Sequence, residues 1–353
     1  MVNPEILLPK EIPAVVGKEI NIYFDNLIIE DADRYYVDVI CDIGQHQNER
    51  WTLIPDAPGE YPLTISLYAD TITKLATATT MIKVSGSEAV VDKASDTVSD
   101  TASDNARIPE SVLFIGDSTT AAGFYTDELL NLFQNDPQSI VLLGTKGTAP
   151  NCHEGRGGWR VDSYFSGEES PFVFDKSFNF TRYMGTNGYR DLDYVCIHLG
   201  INDVFNKVND AGVQRVIDEE MPMLEKIIAS IQDYNASIQI GLMVAIPPSR
   251  FQDSFGSNYG AGQTRWRYKR NIFLWNKELL ARFEHRKADG IFMLPINVNL
   301  DTVHNMASHS VSANSRCSKQ IVRQTDGVHP AEDGYYQMAD VIYYGLKNRS
   351  QKE

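Results

Sequence analysis

The sequence predicts a doubly wound α/β/α domain with a parallel sheet, preceded by a small all-β sandwich of immunoglobulin-like type. Three observations carry this reading. Residues up to about Gly86 alternate apolar and polar side chains between turn clusters, as half-buried strands do. Residues 87–108 are rich in Ser, Asp, Thr and Ala. From Pro109 onward, short and nearly continuous apolar runs alternate with stretches of helical period, which is the pattern of a parallel sheet covered on both faces.

In the first unit, expected over residues 1–86, Glu19 to Phe24, Tyr35 to Cys41 and Pro62 to Tyr68 read as strands. Val16-Gly17-Lys18 and Asp56-Ala57-Pro58-Gly59 supply the turns. Exposed aromatics such as Trp51 and Tyr61 would suit a carbohydrate ligand; the plainer expectation is a spacer packed on the next domain, because aromatics in strands usually face a core. Residues 87–108 contain the near-repeat Ser95-Asp96-Thr97-Val98-Ser99-Asp100-Thr101-Ala102-Ser103-Asp104. A helix there would stack aspartates at i,i+4, so a solvated linker is expected.

The second unit, residues 109–353, places strands at Ser111 to Gly116, Ser139 to Gly144, Leu192 to Leu199, Ser237 to Ile246 and Gly290 to Ile296. Helical stripes follow in Val213 to Ile231, which contains Pro222, then around Ile272 to Phe283 and around Tyr335 to Ile342. Ligands of such sheets bind beyond the carboxyl ends of the strands.

The chain has 47 acidic and 32 basic residues, a formal net charge of −15, which disfavours nucleic acid and anionic membrane surfaces as partners. No apolar stretch approaches the ~20 residues of a membrane span. The N-terminal residues carry no secretory signal, so the expectation is a secreted or cell-envelope protein whose signal is not part of this sequence, with a cytoplasmic one as the alternative. Among the four cysteines, Cys41 and Cys196 fall in strand-like runs and read as buried thiols, while Cys152 and Cys317 fall in loops where free thiols or a bridge would fit. Oligomeric state is not legible.

Four elements at the carboxyl edge carry chemistry. Gly116-Asp117-Ser118 ends the first strand at a tight turn, which would present the Ser118 hydroxyl beside helix N–H groups. Cys152-His153-Glu154-Gly155-Arg156-Gly157-Gly158-Trp159-Arg160 offers glycines through which the backbone can approach a ligand. Gly200-Ile201-Asn202-Asp203 follows the third strand, where an amide could donate to an oxyanion or merely cap a helix. In Asp326-Gly327-Val328-His329 a separation of three lets the carboxylate reach the imidazole and select its tautomer. His46, His153, His198, His285, His304 and His309 keep a structural reading. The loop cysteines and histidines match no zinc spacing, and neither a metal nor a cofactor is called for.

Those four elements resemble the blocks of the SGNH hydrolases, also called GDSL esterases and lipases, over about Ser111 to Lys347, with Thr119 standing where the family's name has Leu. The resemblance implies a flavodoxin-like sheet of order 2-1-3-4-5 and a triad of Ser118, His329 and Asp326. It also implies an oxyanion hole of the Ser118 and Gly155 N–H groups with the Asn202 side chain. The expected activity is hydrolysis of an O-acyl ester, acetyl foremost, on a carbohydrate or small molecule, with Trp159 and Arg160 as substrate contacts. A lipase or thioesterase for longer chains, and a carbohydrate-binding protein without turnover, are the alternatives.

Overall fold

A computed structural model describes residues 4–86, 109–134, 136–255 and 263–350. The expected linker, including the aspartate near-repeat, lies outside the described residues, as does most of the Gly-rich stretch from Phe255 to Gln263.

The alternating segments form two sheets. Strands β1 (Glu11–Val15), β2 (Ile20–Tyr23), β3 (Tyr36–Ile40), β4 (Gln45–His46), β5 (Arg50–Leu53), β6 (Gly59–Tyr68) and β7 (Lys74–Ser85) pair in the orders β1-β7-β6-β3 and β2-β5-β4. Ile12, Ile22, Leu63, Ile65 and Ile82 are buried between them. Trp51 belongs to this core: it is 1% exposed, and its indole N–H donates to the Ile43 carbonyl at 3.2 Å, so it offers no platform for a ligand.

In the second unit β8 (Glu110–Gly116) leads into α1 (Ser118–Ala121) and α2 (Phe124–Gln134), and β9 (Ile140–Leu143) is followed by β10 (Lys146–Thr148) and β11 (Asn151–Gly155). Helix α3 (Val161–Ser166), the short strands β12 (Val173–Phe174) and β13 (Ser177–Phe178), and α4 (Phe180–Thr186) precede β14 (Tyr194–His198). Helices α5 (Ile201–Val204) and α6 (Asp210–Tyr234), strand β15 (Gln239–Met243), helix α7 (Arg265–Phe283), strand β16 (Ile291–Leu294) and helix α8 (Ile296–Asn299) come next. The chain closes with β17 (Ser308–Asn314), β18 (Cys317–Gln324) and α9 (Glu332–Ser350).

Strands β9, β8, β14, β15 and β16 pair in parallel in that order, the 2-1-3-4-5 arrangement, because strands buried on both faces need apolar residues at nearly every position. Past the end of β9, β11 takes over the same edge of β8, with Gly155 opposite Gly116. The expected last strand stops at Leu294, since Pro295 lacks an N–H for the ladder and Ile296 already opens α8. Helix α6 runs unbroken through Pro222; the Asn209 side chain accepts the Gly212 N–H at 2.8 Å to cap it, and Val213, Ile217, Leu224 and Ile228 bury its apolar stripe. Among the described residues no helix is long and apolar enough to cross a membrane.

The two units are docked through polar contacts as well as apolar ones. The Asn26 amide donates to the carbonyls of Asn297 at 2.9 Å and Leu300 at 2.8 Å, and the Asn21 N–H donates to Asn299 Oδ1 at 2.8 Å. Asp25 and Asp31 on the β unit meet Arg250, Arg265 and Lys269 on the other.

Candidate active site

Strand β8 delivers Ser118 because Val112 to Ile115 are at most 1% exposed and leave the strand no freedom to shift. Asp117 turns the chain: its Oδ1 accepts the Thr119 N–H at 2.9 Å and the Thr119 hydroxyl at 2.8 Å, capping α1. Ser118 is the first residue of α1, so its own N–H is one of the unpaired donors of a helix start.

From there a chain of hydrogen bonds crosses to the segment before α9. Ser118 Oγ lies 2.8 Å from His329 Nε2, and His329 Nδ1 lies 3.1 Å from Asp326 Oδ2. The other carboxylate oxygen, Asp326 Oδ1, accepts the backbone N–H groups of Val328 and His329, both at 2.8 Å. Three acceptor roles thus hold Asp326 as the anion, and the anion selects the imidazole tautomer with its proton on Nδ1, leaving Nε2 to accept from the serine. The structure brings Ser118, His329 and Asp326 together from positions more than two hundred residues apart.

The hydrogen bond to Asp326 raises the His329 pKa above its ordinary value, and burial offsets only part of this. A base must be neutral to take a serine proton, so if His329 serves as that base the rate is expected to be low while the imidazole is protonated and to rise with pH through a midpoint above ~6.5. We expect Asp326→Asn to lower that midpoint and to cost on the order of 10⁴ in kcat, read from kcat and kcat/KM against pH. An unchanged midpoint would mean another group sets the profile.

Asn202 sits in the first turn of α5. Gly200, which precedes it, has a φ of +120° and lies against the Trp275 indole, a place with neither the backbone nor the room for a side chain. One Asn202 amide N–H donates to the Trp159 carbonyl at 3.1 Å, leaving the second for a ligand. Beneath it, Asp203 Oδ1 accepts the Val161 N–H at 3.0 Å, and burial pushes the Asp203 carboxyl up to about 7. These two bonds tie the loop after β14 to the Gly-rich loop.

The Gly155 N–H, expected as an oxyanion donor, is engaged by a neighbouring side chain in this structure. It is directed at His153 Nδ1, 3.0 Å away, and Gly155 is buried where a Cβ would strike the backbone of Ala121. Its glycine character serves the close approach of β11 to α1. Gly157 is the exposed glycine beside the nucleophile: a Cβ on it would lie 4.0 Å from the Ser118 Cβ, and its N–H has no partner among the described residues.

Trp159 is half-buried, packed edge-on against Tyr164 with ring centroids 4.7 Å apart and beneath the Arg156 guanidinium at 4.9 Å. Arg160 is paired with Asp162 at 2.5 Å and remains 43% exposed, so it can present a compensated charge to a ligand. The aromatics that follow in the chain have a different use. Tyr164, Phe172, Phe180 and Tyr183 are wholly buried and stack on one another, with Phe172 and Tyr183 centroids 4.3 Å apart. All four cysteines are free thiols, so Cys152 and Cys317 are not bridged.

Two supports escape motif reading. His198 is buried, with its Nδ1 2.8 Å from the Thr119 hydroxyl, and burial lowers its pKa. Because Thr119 already donates to Asp117, His198 must donate to Thr119, and the floor beneath Ser118 is a directed relay Asp117–Thr119–His198. Glu154, wholly buried, accepts from the Thr145 N–H at 2.8 Å, the Tyr183 hydroxyl at 2.7 Å and Arg156 at 2.5 Å, which fixes the Gly-rich loop.

The model of the GDSL-like lipase/acylhydrolase family matches residues 112–342, well over half of the chain. The chain belongs to that family. As a GDSL-family protein it is an ester hydrolase. No curated protein matches it significantly. Solved structures similar to it include the Clostridium thermocellum family 3 carbohydrate esterase, at 16% identity over 69% of this chain and 100% of that one, with a TM-score of 0.43. Others are Est24, a carbohydrate acetylesterase from Sinorhizobium meliloti (14%, 68% and 99%, 0.41), and a carbohydrate esterase family 3 protein from Talaromyces cellulolyticus (15%, 68% and 97%, 0.38). At this distance none of them carries a substrate over to the present GDSL hydrolase.

Proposed function

We propose that this hydrolase removes short acyl groups, acetyl foremost, from a carbohydrate through an acyl-enzyme on Ser118. The observation that carries the reading is the unbroken line Ser118 Oγ, His329, Asp326 with separations of 2.8 and 3.1 Å. His329 takes the Ser118 proton as Oγ attacks the ester carbonyl, and the tetrahedral oxyanion is received by the N–H groups of Ser118 and Gly157 and the free amide N–H of Asn202. His329 then gives the proton to the departing alcohol, and water repeats the sequence on the acyl-enzyme.

Exposure supports a short acyl group on a bulky carrier. The side chains of His329 and Asp326 are 36% and 31% exposed, an open site that an ester on a polymer can reach but that gives a long acyl chain little apolar surface to bury. Trp159 and the Arg160–Asp162 pair beside Asn202 add a ring and hydrogen-bonding groups of the kind that suit a polyol.

Two measurements test this. Asn202→Ala should lower kcat by about 10²–10³, or about 2.7–4 kcal/mol, with KM nearly unchanged, as for any donor engaged chiefly in the transition state. A series of p-nitrophenyl esters should peak at acetate or butyrate; a maximum at octanoate or beyond would favour a lipase or thioesterase and sink the acetylesterase reading.

A further inference from the structure

A cavity of about 590 Å³ lies where the β unit meets the hydrolase unit, within the size range of small-ligand sites. Its walls come from both: Tyr23, Tyr35, Tyr36 and His46 from the sandwich, Arg250 and His304 from the loops after β15 and β16. These loops are at the carboxyl edge of the sheet, the edge that carries Ser118. The cavity wall and the His329 segment are joined directly: the Arg250 N–H donates to the Thr302 carbonyl at 2.9 Å, and the adjacent Ser249 N–H donates to the Gly327 carbonyl at 3.0 Å.

At the cavity edge, Asp301-Thr302-Val303-His304 repeats the hydrogen bonding of Asp326-Gly327-Val328-His329. Asp301 Oδ1 accepts the N–H groups of Val303 at 2.8 Å and His304 at 2.9 Å, while Oδ2 lies 2.9 Å from His304 Nδ1. The imidazole is therefore fixed with Nε2 unclaimed by any described residue and its side chain 77% exposed. Among the described residues the lining holds no serine or cysteine, and no hydroxyl is seen bonded to the imidazole as Ser118 is to His329, so the second dyad is suited to holding a ligand. Tyr23 reinforces it, donating to Asp301 Oδ2 at 3.2 Å, with burial pushing its phenol up to about 12 so that it stays a donor.

Charge and shape select the ligand. Arg250, the one arginine among the described residues that line the cavity, is neutralised by Asp31 at 2.8 Å and Asp33 at 3.0 Å, and Glu49 and Asp301 add negative charge, so an anion would be repelled. Tyr36 is 62% exposed, an aromatic face open to the cavity mouth. Carboxylates and an imidazole nitrogen that accept, an amide pair in Gln47 and Asn48, and tyrosine faces together match an uncharged polyhydroxylated ring.

We propose that this junction cavity binds sugar units of a neutral polysaccharide, holding the polymer while an ester elsewhere along it reaches Ser118. The link to Ser118 rests on the esterase reading; the binding itself does not. The test is calorimetric titration of the full chain with unesterified cellohexaose, xylohexaose, mannohexaose and chitohexaose, with p-nitrophenyl acetate hydrolysis measured in parallel. At least one hexasaccharide should bind, Tyr36→Ala and His304→Ala should each weaken it about tenfold or more, and both variants should hydrolyse p-nitrophenyl acetate at the wild-type rate. A panel in which none binds, or binding that neither substitution weakens, overturns the proposal. Sugar binding without p-nitrophenyl acetate turnover would instead remove the esterase reading and leave the sugar site standing.

Discussion

Replacing Ser118 with alanine should lower kcat toward short esters by about 10⁵–10⁶ while leaving the unfolding midpoint within the scatter of ordinary surface substitutions. The hydroxyl contributes one hydrogen bond to the fold, the 2.8 Å contact to His329, and the turn that presents it is held by Asp117 and Thr119 rather than by Ser118 itself. Activity and stability should therefore separate cleanly. His329→Ala should cost about as much as Ser118→Ala, and the double substitution hardly more, because residues that act as one unit lose their whole effect together.

Asp25→Asn should be the most damaging change away from the cleft, destabilising the chain by about 3–5 kcal/mol. Asp25 faces Arg265 at 2.9 Å, Lys269 at 3.0 Å and Arg250 at 3.9 Å, and the first two cations have side chains only 7% and 5% exposed. Without the carboxylate these buried cations keep backbone carbonyls, Ser249 for Arg265 and Glu30 for Lys269, but among the described residues only Asp31 as a nearby anion, itself 42% exposed and bonded to Arg265 at 2.8 Å. Burial already pulls the Lys269 pKa down to about 8, so loss of its partner should make the ammonium release its proton rather than remain charged. A urea midpoint within 0.5 kcal/mol equivalent of wild type would show that the network is not what docks the two units. Arg265→Ala should cost less, about 3 kcal/mol, since Lys269 still faces Asp25 after the change.

Sequence pattern reached the parallel sheet because β8, β14, β15 and β16 are buried on both faces and so spell themselves out in apolar residues, while β9, at the edge, is apolar throughout although Val141 is 42% exposed. It missed the hairpin of β17 and β18, whose side chains are nearly all exposed and whose strands are specified by pairing with each other rather than by a buried face. The nucleophile turn and the Asp326–His329 pair were readable since each is local, closed by spacings of one to three residues. Gly155 was not separable from Gly157 by motif, because what distinguishes them is a single competing acceptor, His153 Nδ1, placed by the β11 backbone. The same holds for Trp51, Phe172 and Tyr183: an aromatic ring in a strand, loop or short helix looks alike in sequence whether it faces solvent or a neighbouring ring. The ionic cluster of Asp25, Arg265 and Lys269 joins residues some 240 positions apart, and no local pattern announces it.

Intact-mass and peptide mapping after reaction with a fluorophosphonate tests the central claim most directly, since that reagent needs an activated serine and no knowledge of the natural ester. One adduct per chain is predicted, on the peptide carrying Ser118, formed far more slowly in His329→Ala and abolished in Ser118→Ala. Hydrolysis of p-nitrophenyl acetate by a protein that takes up no adduct at Ser118, or takes it up on another residue, would contradict the account.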